Sequence, residues 1–101
     1  MRKDRLSLQR IVLVRAGRTR LSAERRFSGR ANPPLDDRGR WEADALAQRL
    51  AREWRPALVL ASAAWRATDT ARAIAAWCHC PWEAWPGLAD VDVGDWEGLT
   101  W

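Results

Sequence analysis

The chain has 101 residues, 17 basic and 13 acidic side chains, and a net charge of +4. That length holds one domain at most, one able to bury a core while leaving much of its surface in water. With 48% hydrophobic and 30% charged residues, the composition excludes disordered and membrane-embedded classes.

Residues 1–9 form a basic start, Met1-Arg2-Lys3-Asp4-Arg5 and onward, expected to be flexible. The apolar stretch after it is interrupted by Gln9 and Arg10 and ended by Arg15. It is therefore too short and too charged for an export signal or a membrane span. The expected location is cytoplasmic, without membrane association. From Arg10 to Val14 the run is apolar and β-branched, as in a strand buried on both faces of a parallel sheet. Arg15-Ala16-Gly17-Arg18-Thr19 then turns at the end of that strand, where ligands bind in open α/β sheets. Leu21 to Pro34 lacks a sustained period and carries Gly29, Asn32, Pro33 and Pro34, which predicts a surface loop with at most a helical turn.

Asp36 is positioned to cap a helix that reaches about Glu53, with Ala43, Leu46, Leu50 and Trp54 along one face. Pro56 stops it. Ala57 to Ala61 is a second apolar strand, and Ser62 begins a turn into a second helix in which Ala67, Ala71, Ile74 and Cys78 share a face. Pro81 closes that helix, and Trp82 to Trp85 is a short third strand. The segment Leu88 to Gly98 then returns toward the ligand end. Alternation of this kind predicts an α/β fold, a mostly parallel sheet with flanking helices.

All but one of the seventeen basic residues are arginine, which suits phosphate, but they are dispersed rather than clustered, which disfavours nucleic acid as a partner. Cys78 and Cys80 flank the single histidine, His79. With no fourth ligand nearby they are expected to be free thiols, and no metal site is expected. The eight tryptophans, Trp41, Trp54, Trp65 and Trp77 among them, are expected to pack a core or cover half-exposed apolar surface rather than stack on bases.

The blocks of the chain carry a resemblance. Arg15-Ala16-Gly17-x-Thr19 resembles the Arg-His-Gly-x-Thr signature of the histidine phosphatase superfamily, the phosphoglycerate mutase-like phosphatases and mutases, with alanine at the histidine. Arg26-Phe27-Ser28-Gly29, Pro34 to Gly39, Ala61 to Ala71, and Leu88-Ala89-Asp90 through Gly94-Asp95-Trp96-Glu97-Gly98 follow in the family's order. The resemblance implies the N-terminal half of such a domain, spanning 1–101, with the family's second catalytic histidine beyond Trp101.

The same resemblance implies the chemistry. A phosphate monoester is a dianion, so its site gathers fixed positive charge around the equatorial oxygens. Arg15 and Arg66 are the candidate guanidinium pair, with Ser22 and the Gly17 turn as further phosphate contacts, Thr19 a weaker one, and amides near Ser62 adding partial charge. Family members attack phosphorus with the histidine, and Ala16 has no lone pair to offer, so the nucleophile function is lost. Asp90 matches the family's acid with a side chain one methylene shorter, and Asp92 is its alternative. Trp96 falls in a block that lies near the active site in the family. His79, at the far end of the second helix, is expected to be a turn residue. No cofactor is implied. The expected partner is phosphate or a phosphorylated small molecule. The competing expectation is a noncatalytic interaction module that self-associates or pairs with a partner chain through its sheet edge and tryptophan-rich helices.

Overall fold

In the computed structural model, residues 10–26 and 32–88 are described. The first element is a single helical turn, α1 (Arg20–Ala23). A long helix follows, α2 (Asp37–Glu53), then a short strand, β1 (Val59–Ala61). Next come α3 (Trp65–Cys78), β2 (Trp82–Ala84) and a 3-10 turn at Pro86–Leu88. β1 and β2 pair in parallel, Val59 opposite Trp82 and Ala61 opposite Ala84, with α3 as the crossover between them. The architecture is α/β, as expected.

α2 begins where its cap predicts. Asp36 accepts from the Gly39 amide at 2.7 Å, occupying one of the donors that a helix start leaves open. Its buried face is Gly39, Ala43, Ala47 and Leu50, a row of mostly small residues that lets α3 come close. α3 answers with Thr70, Ala71, Ile74 and Ala75. Ala47, Leu50 and Ile74 form the centre of the core, with Leu46, Val59 and Cys78 packed around it. At the edge of this layer, Trp77 donates its indole N–H to Asp44 at 2.6 Å, tying α3 to α2 through its polar end. Trp41, Trp54, Trp65 and Trp77 all keep substantial exposed surface, and Arg72 lies over the Trp82 ring at 5.4 Å. α3 ends at His79, whose left-handed backbone, φ 54°, closes the helix two residues before Pro81.

One expectation fails. Arg10 to Val14 belongs to no strand among the described residues, and its side chains face water, Leu13 being 92% and Ile11 74% exposed. A run that is apolar on both faces needs neighbours on both sides. The described sheet has two strands, β1 and β2, which pair with each other, and this run stands apart from them, with Arg10 laid over a neighbouring ring, that of Trp54 at 5.0 Å.

The start at residues 1–9, the Phe27-Ser28-Gly29 part of its block, and Asp90, Asp92 and the Gly94–Gly98 block with Trp96 lie outside the described residues. Among the described residues no helix is long and apolar enough to cross a membrane.

Candidate phosphate site

The turn after Val14 is held on two sides. On one side stands the first turn of α2. The Asp36 amide donates to the Arg18 carbonyl at 2.9 Å, the Arg18 amide donates to a Glu42 carboxylate oxygen at 3.2 Å, and the Arg18 guanidinium reaches Asp36 at 2.7 Å. Backbone packs on backbone here. A methyl at Gly17 would stand 2.5 Å from the Gly39 carbonyl oxygen, and a methyl at Gly39 would run into the Arg18 backbone. Glycine is required at both positions because the two chain segments approach too closely for any side chain.

On the other side stands α3. The Gly17 amide donates to the Thr70 hydroxyl at 3.1 Å, and that hydroxyl donates to the Arg66 carbonyl at 2.7 Å. Thr70 and Arg66 are four residues apart, on one face of the helix. The segment that carries Arg15 and the turn that carries Arg66 are thus joined through a single side chain. Arg15 is exposed and Arg66 half-buried. Burial pulls the Arg66 guanidinium below its ordinary pKa without discharging it at neutral pH.

Arg15, Ala16, Gly17, Glu42, Ala43, Leu46 and Thr70 line a cavity of about 230 Å³. The Ala16 position therefore opens onto space rather than packed core. A larger hollow of about 460 Å³ lies between α2 and α3, bordered by Arg40 and Arg72 but also by Asp44 and Asp69. Acidic side chains stand in both, Glu42 beside Arg15 in the smaller one and Asp44 and Asp69 in the larger.

The other expected contacts are differently employed. Ser22 closes a reciprocal cap with Thr19: its Oγ accepts from the Thr19 amide at 2.9 Å and donates to the Thr19 carbonyl at 3.1 Å. Thr19 itself is 1% exposed and accepts from the Ser22 amide. Both hydroxyls serve the start of α1, so neither is presented to a ligand. The Gly17 amide is likewise committed to Thr70. At the start of α3, the Ala64 amide donates to Ser62 at 3.4 Å and the Trp65 amide to the Asn32 side-chain carbonyl at 2.7 Å. These helix-end donors are already in use.

Three residues of the neighbourhood were not singled out by sequence. Thr70 had a usable signal, since it sits four residues after Arg66. Glu42 and Asn32 had none, because their partners are 24 and 33 residues away.

The family model described as histidine phosphatase superfamily (branch 1) matches residues 11–101. The chain belongs to the histidine phosphatase superfamily. Among its relatives in this superfamily is a metal-independent phosphoserine phosphatase of Arabidopsis thaliana, 42% identical over 90% of this chain and 39% of its own length. Among solved structures, a mycobacterial glucosyl-3-phosphoglycerate phosphatase crystallised with VO3 superimposes with a TM-score of 0.79 at 30% identity, covering 84% of this chain and 40% of the other. A structure of the mycobacterial enzyme with inorganic phosphate gives 0.71 at 29% identity, over 84% and 38%. The histidine phosphatase chain described here thus spans about two fifths of the length of these relatives.

Proposed function

We propose that this chain is a phosphomonoester-directed member of the superfamily that retains phosphate binding and lacks covalent catalysis. One observation carries the reading. The Gly17–Thr70–Arg66 relay joins the backbones bearing the two candidate guanidinium groups, next to a cavity that Ala16 lines with a methyl. Two arginine forks near one anion supply directional, charge-assisted hydrogen bonds. A methyl cannot form a bond to phosphorus, so a phosphoenzyme cannot form at residue 16. Losing the nucleophile of a cooperating set removes most of its rate enhancement and leaves ground-state binding. Relatives crystallised with inorganic phosphate and with VO3 support an anion as the ligand. Asp90 remains the proposed acid and Asp92 its alternative.

Orthophosphate at a hundredfold excess over its Kd is expected to stabilise the fold by about 2.7 kcal/mol, a rise in melting temperature of roughly 10 °C for a domain of this size. Arg15→Ala should abolish that rise. The same protein should release no p-nitrophenol from p-nitrophenyl phosphate above the solvent rate. A phosphate-independent melt in wild type would remove the reading.

The exposure of Ile11 and Leu13 favours a second reading, a noncatalytic interaction module. It predicts a melt indifferent to phosphate and a sedimentation coefficient that rises with protein concentration and falls back to the monomer value in Leu13→Asp.

A further inference from the structure

We infer that Thr70 is a positioning residue that sets the spacing between the Arg15 and Arg66 segments, an inference that rests on the phosphate-directed reading above. Thr70 is 4% exposed and lines the cavity beside Ala16. A hydroxyl has one proton to give and lone pairs to receive with. The Arg66 carbonyl, one turn back on the same helix, takes the proton at 2.7 Å. What faces the turn is therefore an acceptor, and the Gly17 amide meets it at 3.1 Å.

The turn cannot slide to compensate for a change at residue 70. Its opposite side is in backbone contact with α2 at Gly39, and the Arg18–Asp36 and Arg18–Glu42 bonds fix it along the helix. It is gripped between two helices, and Thr70 is the jaw on the α3 side. Arg15 lies two residues before Gly17, and Arg66 carries the carbonyl that Thr70 holds. Two guanidinium groups grip one anion best when the backbones that carry them hold a fixed separation, because each fork then meets the anion without first being ordered. An isosteric side chain without a hydroxyl leaves the Gly17 amide without its acceptor and frees the turn to tilt away from α3.

The test is orthophosphate and orthovanadate affinity by calorimetry, at a temperature where circular dichroism shows every variant folded. Thr70→Ser keeps the hydroxyl and should bind within about twofold of wild type. Thr70→Val keeps the shape and should bind at least about tenfold more weakly, the size of one lost hydrogen bond. Ile74→Val, a core change on the same helix, controls for stability and should leave affinity unaltered. If Thr70→Val does not fold, Thr70→Cys, whose sulfur is a weaker acceptor, takes its place with a smaller loss in the same direction.

Wild-type affinity in Thr70→Val or its cysteine substitute, with binding abolished in Arg15→Ala, overturns the positioning role and leaves the phosphate reading standing. Equal losses in Thr70→Ser and Thr70→Val also overturn it, because shape rather than the hydroxyl would then matter. Absence of phosphate binding in wild type overturns both.

Discussion

Two apolar regions meet at the Arg15–Thr19 turn, and they fare differently. The α2–α3 pair brings both halves of its own interface: Ala43, Ala47 and Leu50 on one helix, Ala71, Ile74 and Ala75 on the other, all buried. Arg10–Val14 is as apolar in sequence, yet every one of its side chains is exposed. Its Ile, Val and Leu side chains are larger than the alanines of the helix faces, so the difference lies in what stands opposite. Hydrophobicity sets how strongly a segment seeks cover, whereas the presence of a complementary face decides whether it finds any. The turn between the two regions takes its order from the helical side alone, through Thr70 and the first turn of α2.

The largest effect should come from the place where the turn is clamped to α2. Gly39→Ala drives a methyl into the Arg18 backbone, which has no rotamer by which to yield. A loss of about 3 kcal/mol or more is expected, read as a fall in the thermal midpoint. Gly87→Ala, with nothing within 4 Å, is its neutral control. A tolerated Gly39→Ala would mean that the turn is not clamped.

The contrast between the two apolar regions is tested next. Ile74→Ala should cost about 2–4 kcal/mol through lost burial and the cavity left behind. Leu13→Ala should change stability by less than about 0.5 kcal/mol. Equal losses at the two positions in urea unfolding would show that Arg10–Val14 is packed in solution and would erase the comparison.

The smallest effect concerns pH. Desolvation pushes the Asp36 carboxyl upward, but the Gly39 amide bond together with the hydrogen bond and charge of Arg18 outweighs it, holding the group below its ordinary value of 3.8. A carboxylate depressed in the folded state stabilises above its unfolded pKa and loses that contribution as pH falls through the folded value. Asp36→Asn keeps a cap acceptor and removes the titration. Its midpoint should therefore lie below that of wild type by a constant amount above about pH 5 and converge with it below about pH 4. A gap that widens on acidification would contradict the assignment.

Much of this was legible in the residues because its causes are local. The cap at Asp36, the spacing of Ala43 and Leu50, the stop at Pro56, the face shared by Ala71 and Ile74, and the brief strand after Pro81 all depend on neighbours within a few positions. What escaped was set by distant partners. Nothing near Gly17 in sequence announces that its amide is taken by Thr70, 53 residues on. Ser22 matched a family position for contacting phosphate, yet the competing local use of its hydroxyl at the start of α1 prevails. The exposed run before Arg15 was misjudged for a related reason: its pattern records a demand for cover, which the described residues do not meet.

The Gly17–Gly39 contact has a consequence for how reactivity is distributed along the turn. Because the main chain is wedged there, its path is dictated by positions 17 and 39 and owes nothing to the group displayed at residue 16, which opens onto a hollow. A bulkier group at residue 16 would extend into that hollow and leave the Gly17–Gly39 wedge untouched.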